Sequence, residues 1–141
     1  MIIIKKYILK ETSKEEYKVL SREEKVCPIC KSKLTPIGSR IRITYLISGK
    51  KVSIRIRRLR CTNKKCYKIH HELPDILVPF KRYELSAIYS IISGKENQVG
   101  CDEKTIREVH RWWKCISNYG QTIKTIKDFK EFIHDLYLLF L

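Results

Sequence analysis

The pairing of cysteines constrains this chain more than any other feature. Cys27-Pro-Ile-Cys30 and Cys61-Thr-Asn-Lys-Lys-Cys66 are two short-spaced pairs with a 30-residue gap between them. A short Cys pair bends the backbone into a knuckle so that both sulfurs face one ion. Four thiolates complete a tetrahedral zinc shell, with Zn–S distances of about 2.3 Å. Inside the gap, residues 41–47 and 52–60 are strand-like runs around Ser48-Gly49-Lys50-Lys51, which reads as a β-hairpin. A hairpin held between two knuckles is the plan of a zinc ribbon. Cys27, Cys30, Cys61 and Cys66 are therefore the expected metal ligands, and Zn²⁺ the expected cofactor.

Disulfides and free structural cysteines are the alternatives. The N-terminal run Met1-Ile-Ile-Ile-Lys-Lys-Tyr-Ile-Leu is broken by lysines and has no small-residue cleavage site, so no secretory signal is expected and disulfides are disfavoured. The lysines and arginines around the pairs favour thiolate over thiol. His70 and His71 follow Cys66 closely and stay open as replacements for one ligand. Cys101 and Cys115 flank a predicted helix and are expected to pack in a core.

Charge follows the same segment. The 141-residue chain has a formal net charge of +15. Residues 27–83 hold fifteen basic and two acidic side chains, hence +13 of that excess, and residues 37–71 contain no Asp or Glu. A solvated strand face usually mixes both signs, so this face points to an anionic partner. Arg40, Arg42, Lys50, Lys51, Arg55, Arg57, Arg58 and Arg60 lie on or beside the hairpin, and Arg suits bidentate phosphate or guanine contacts. Val52, Ile54 and Ile56 share one face of their strand, and Ser53, Arg55 and Arg57 share the other. Leu59 breaks that alternation, which predicts a bulge near Arg57-Arg58.

The flanks are less specific. Residues 2–9 read as a strand, and Thr12 or Ser13 as the cap of a short helix to about Leu20, with Glu15 and Glu16 in its first turn. Residues 67–83 read as irregular. Leu85, Ile88, Tyr89 and Ile92 have helical spacing, stopped by Gly94. A helix capped by Asp102 has Ile106, Val109 and Trp113 on one face and Lys104, Arg107, Arg111 and Lys114 on the other. With Val99-Gly100-Cys101 as a turn, it resembles the second helix of a helix-turn-helix, whose N-terminal residues Lys104, Thr105 and Arg107 would approach base edges. Residues 123–141 form a last helix, whose seam of Ile126, Phe129, Ile133, Leu136 and Phe140 either docks on its neighbours or pairs two chains as a homodimer.

These blocks carry a family resemblance. Cys27-Pro-Ile-Cys30, Ile37-Gly38-Ser39-Arg40, Ile56-Arg-Arg-Leu-Arg-Cys61 and Ile69-His-His-Glu-Leu-Pro74-Asp-Ile-Leu-Val-Pro79-Phe-Lys-Arg-Tyr83 resemble a small zinc-ribbon family of Gram-positive bacteria and their mobile elements. The same block, with Thr105-Ile106-Arg107 and Arg111-Trp112-Trp113, is similar to the N-terminal zinc ribbon plus helix-turn-helix of insertion-sequence transposases. The resemblance covers residues 26–114 and implies DNA binding. In those transposases a catalytic domain with three separated acidic residues follows. Here 27 residues follow Lys114, with Asp128, Glu131 and Asp135 on one short helix.

The expectation is an α+β chain: residues 1–26 a strand and short helix, 27–83 a zinc ribbon with basic hairpin, 84–118 a helix-turn-helix-like region, 119–141 a C-terminal helix. Double-stranded DNA is the expected partner, for a transcriptional regulator or mobile-element accessory in the cytoplasm, associated with the nucleoid. Arg40, Arg42, Arg55, Arg57, Arg58 and Arg60 would hold phosphates, and Lys104, Thr105, Arg107, Arg111 and Lys114 would approach the groove. The rivals are a zinc-ribbon adaptor for RNA or a nucleic-acid enzyme, and the DNA-binding subunit of a split transposase. No Ser-His-Asp spacing, phosphate-cradling Gly loop or carboxylate pair suggests intrinsic catalysis. No run of 18 apolar residues suggests a membrane span.

Overall fold

The computed structural model describes residues 1–117 and 123–138. It is mixed α+β and divides into two compact units: residues 1–43 with 52–75, and residues 44–51 with 76–138.

The first unit is a six-stranded sheet: β1 (Ile2–Ile4), β2 (Tyr7–Ser13), β3 (Glu16–Ser21), β4 (Leu34–Tyr45), β5 (Lys51–Cys61) and β6 (Ile69–Pro74). The path is β1-β6-β5-β3-β2, with β4 also paired to β5. The expected hairpin is therefore β4 and β5, with Gly49 in the left-handed region at its turn. Val52, Ile54 and Ile56 are buried as their alternation requires, and burial then shifts phase to Leu59 and Cys61. The shift falls where β5 changes partner. Its first half runs parallel to β3, with Lys18 opposite Arg55, and its second half antiparallel to β6, with Arg58 opposite His71. The irregularity expected at Arg57-Arg58 is thus the handover between two neighbouring strands.

Three expectations are corrected here. The short helix from Thr12 to Leu20 is a β-hairpin, β2 with β3, turning at Lys14-Glu15 with Glu15 at φ 62°. Tyr17, Val19 and the strands beside them reward extension, because β3 has β5 to pair with, and that tertiary pairing outweighs the capping signals. The strand expected over residues 2–9 breaks at Lys5-Lys6, and the Glu23 carboxylate accepts both lysine backbone N–H groups. Finally, β6 lies within the stretch read as irregular. Its His70 and Glu72 disguise a strand in which four of six residues are buried.

The second unit is helical: α1 (Leu85–Ile92), α2 (Glu103–Ile116) and α3 (Ile126–Leu138), with a 3-10 turn at Glu96–Gln98. Glu84 precedes α1 in extended geometry. After Ser93, Gly94 takes φ 79°, its N–H donates to Ile91 and that of Lys95 to Ser90, which closes the helix as a Schellman motif. Asp102 caps α2 by accepting from the Thr105 N–H at 2.9 Å. Val78, Leu85, Ile88, Ile91, Val109, Phe129, Phe132, Ile133 and Leu136 form the core, with Trp112, Trp113 and Ile106 packed against it. The α3 seam therefore docks within its own unit at Phe129, Ile133 and Leu136; Phe140 lies outside the described residues. Cys101 packs against this core, but Cys115 is exposed, which corrects its expected packing role.

The segment Val99-Gly100-Cys101 receives the tip of the β4–β5 hairpin. Gly100 N–H donates to the Ile47 carbonyl at 2.8 Å. A Cβ on Gly100 would lie 2.3 Å from the Ser48 carbonyl oxygen, so only glycine allows this approach. Residues 93–102 separate α1 from α2, a longer connection than the turn of about three to four residues in a helix-turn-helix. No helix among the described residues is long and apolar enough to cross a membrane.

Candidate metal centre and basic surface

Each cysteine pair is set on a knuckle built by backbone hydrogen bonds. In the first, Cys27 N–H donates to the Ser32 carbonyl and Lys31 N–H to the Cys27 carbonyl. In the second, Cys61 N–H donates to Lys68, and the N–H groups of Cys66 and Tyr67 both donate to Asn63. The residue after the second cysteine takes positive φ in both, Lys31 at 64° and Tyr67 at 52°. Non-glycine residues seldom adopt that geometry. Thr62 ties the knuckles together, donating to the Lys33 carbonyl from both its N–H and its hydroxyl.

The four sulfurs converge. All ligand atoms of Cys27, Cys30, Cys61 and Cys66 lie within 4.8 Å of one another. Cys27 and Cys66 sulfurs are 3.8 Å apart, and those of Cys30 and Cys61 are 3.2 Å apart. A regular tetrahedron of ligands at zinc–sulfur length has edges of about 3.8 Å, so the cluster has the size to enclose a metal ion. All four are free cysteines. Cys27 and Cys61 are buried and Cys30 and Cys66 half-buried. Hydrogen bonds from Ser32, side chain and then backbone, pull the Cys30 thiol down to about 6, while burial pushes Cys61 up to about 12. Cys30 is thus a ready thiolate, and Cys61 needs a cation beside it to ionise.

Neither histidine joins the four sulfurs. His70 is buried on β6, with Nε2 3.5 Å from the Cys27 sulfur. Burial, then the positive N-terminus, lowers its pKa and keeps the ring neutral. A neutral ring with its N–H toward Cys27 supports a thiolate from outside the ligand set.

The hairpin arginines divide by what they touch. Arg57 is tied to the buried Glu72 carboxylate through Nε at 3.2 Å and Nη2 at 2.9 Å. Arg55 donates to Ser39 Oγ at 3.0 Å and lies 3.6 Å from Glu16. Arg60 sits over the Tyr67 ring, 4.5 Å from its centroid, and bonds its hydroxyl at 3.2 Å. Arg42 is half-buried in β4. Arg40 and Arg58 are different: Arg58 stands opposite His71 in the β5–β6 register, and both arginines are near enough to lower the His71 pKa by their charge, after its burial. Around the cysteines, Lys31, Lys33, Lys64, Lys65 and Lys68 are exposed.

On α2, Lys104, Arg107, Arg111 and Lys114 are exposed along one side, as the spacing predicts. Arg107 has a loose 4.0 Å contact with Glu103, both side chains largely exposed. Thr105 is instead occupied, its hydroxyl shared with Asp102 and Tyr83. Glu72 and Tyr67 escaped the sequence reading, and His70 entered it only as a candidate replacement ligand. The signal for Glu72 was its position as the first acidic residue after a long acid-free stretch.

Residues 27–112 match the profile of a family described as a domain of unknown function, DUF6431. No curated protein and no solved structure matches the chain.

Proposed function

The chain belongs to the DUF6431 family, and we propose that it is a zinc-dependent double-stranded DNA-binding protein. In this reading its DNA-binding part is transposase-like, and it serves as a transcriptional regulator or mobile-element accessory. The carrying observation is that the four-cysteine cluster fixes two knuckles studded with exposed lysines at the end of a β4–β5 ribbon, where residues 37–71 hold no acidic side chain. Four thiolates in a tetrahedral set suit zinc better than harder ions, and a closed set of four leaves no open catalytic position.

Arg40, Arg58 and the knuckle lysines then neutralise phosphates. Arg55, Arg57 and Arg60 hold the ribbon in shape while adding to its field. Specific contacts fall to the exposed face of α2, where Lys104, Arg107, Arg111 and Lys114 follow one another along the helix. With α1 it makes a helix-turn-helix variant with a long connection. Phosphate contacts set register, and base contacts set sequence.

Anisotropy of a labelled random-sequence duplex tests this reading, with zinc-loaded and chelated protein over a salt series. Affinity is expected to fall steeply with salt and to vanish on chelation, because structural zinc supplies about 10–16 kcal/mol of apparent binding energy in small domains. Salt-independent binding, full binding by metal-free folded protein, or displacement by RNA at lower concentration than by duplex would overturn it.

A further inference from the structure

A recess of about 500 Å³ lies in the second unit. Three segments build it: Tyr45 at the end of β4, residues 80–83 ahead of α1, and the first two turns of α2. The Arg82 carbonyl accepts from Tyr45 N–H and Thr44 Oγ1, both at 2.8 Å, which locks the first two segments side by side. As a result Tyr45 and Tyr83 stack, ring centroids 5.2 Å apart and planes 26° from parallel. Ile88 and Val109 supply apolar lining.

The remaining lining is polar and of mixed sign. Arg82 and Lys104 are exposed, and Lys104 lies close enough to Asp102 for its charge to lower that carboxyl. Lys81 lies over Trp112, 4.9 Å from the ring centroid, and feels Glu108. Asp102 is used in capping α2. Phe80 is the anomaly. It is 79% exposed at the recess, at φ 63°, a conformation that is strained for a bulky residue. One side of the ring leans on Tyr137, centroids 6.0 Å apart and planes 44° from parallel, and the rest of it stays in water.

A stacked aromatic wall, a largely solvent-facing ring and two exposed cations match the parts of a nucleotide: a π-face to stack and a phosphate to neutralise. The volume is within the range of small-ligand sites. We propose that this recess takes one unpaired nucleotide, with the base against the Phe80, Tyr83 and Tyr45 rings and the phosphate at Arg82 and Lys104. Asp102 and Glu108 favour bases with an exocyclic amine to donate, of which adenine is the probe, over thymine. Where the nucleotide belongs to a strand, the inference rests on the nucleic-acid reading above.

The test compares three probes on zinc-loaded full chain: a duplex with one bulged adenine, the same duplex fully paired, and adenosine monophosphate. Wild type is expected to prefer the bulged duplex about tenfold, within what stacking of one base on aromatic side chains gives. Phe80→Gly, which also relieves the backbone, and Arg82→Ala should each erase the preference and leave paired-duplex affinity within about twofold. Equal affinity of wild type for both duplexes overturns the inference while leaving DNA binding in place. If neither duplex binds, the DNA reading fails and adenosine monophosphate decides. Amide shifts in residues 80–83 and 102–109 that vanish in Phe80→Gly support a site for free nucleotide, and no shifts overturn it.

Discussion

Arg57 and Glu72 form a two-pronged ion pair across β5 and β6, with the glutamate side chain 1% exposed and the arginine 42%. The pair turns one of the most DNA-like arginines in the sequence into a structural residue. Glu72 would be a buried lone charge without it. Removing one partner of such a pair costs about 3–5 kcal/mol when both are buried, and the half-exposed arginine places this case at the lower end. Arg57→Ala should therefore lower unfolding free energy in urea by about 3 kcal/mol. Arg57→Lys should recover only part of it, because a lysine cannot supply the fork. A loss below about 0.5 kcal/mol, the range of an ordinary surface change, would mean that the pair contributes little.

Glu23 makes a second prediction, with a defined pH window. Burial pushes its carboxyl up, but the Lys6 N–H, the Lys25 ammonium and the Lys5 N–H together pull it down to about 2 from 4.5. Its folded-state pKa is depressed, so its contribution is complete above about 4.5 and is lost as pH falls through about 2. The contact is near the surface, so about 1 kcal/mol is expected. The difference in stability between wild type and Glu23→Gln should be flat above pH 5 and shrink toward zero in stronger acid. Taking the difference removes the acid sensitivity of the four-cysteine cluster, which both proteins share. A difference unchanged with pH would show that the carboxylate charge is not what ties down the β1–β2 bend.

How far the sequence reached depended on whether a signal was local. The four cysteines and the inward face of β5 were legible because ligand spacing and alternation need only a few neighbouring residues. The Asp102 cap and the Gly94 stop were legible for the same reason. The β2–β3 hairpin was not, because Thr12, Ser13, Glu15 and Glu16 imitate a helix start, and only pairing of β3 with β5 decides the matter. The β6 strand was hidden by His70 and Glu72, whose burial depends on Cys27 and Arg57, far away in sequence. Likewise, nothing local marks Tyr45 and Tyr83 as stacking partners.

The Gly49–Gly100 approach gives a third prediction. A Cβ at Gly100 meets the Ser48 oxygen at 2.3 Å and carbon at 2.6 Å, and both are backbone atoms that cannot rotate away. Gly100→Ala should push the hairpin tip off the 99–101 segment and break the Gly100–Ile47 hydrogen bond. Overpacking of this kind costs about 1–3 kcal/mol. Thermal unfolding should show a lowered midpoint, with faster amide exchange at Gly100 and Gly49. Gly94→Ala is the control, since its Cβ meets nothing within 4 Å and only the φ 79° strain remains. An equal loss from the two variants would assign the Gly100 effect to general glycine replacement rather than to the contact.

The last prediction separates the two cationic surfaces. Arg40 and Arg58 lie near His71 on the ribbon, and Arg107 stands in solvent on α2. If the ribbon contacts only phosphates, Arg40→Ala and Arg58→Ala should weaken every duplex alike, and each should reduce the slope of log affinity against log salt by about one. Arg107→Ala should instead compress the spread between preferred and random sequences by about 1–3 kcal/mol, the discrimination of one base contact. Arg57→Lys keeps the charge and should follow neither pattern, its affinity staying near wild type wherever the protein is folded. The measurement is salt-series anisotropy on a selected and a scrambled duplex. Identical behaviour of Arg58→Ala and Arg107→Ala would remove the base-reading role from α2 and leave both surfaces as phosphate contacts.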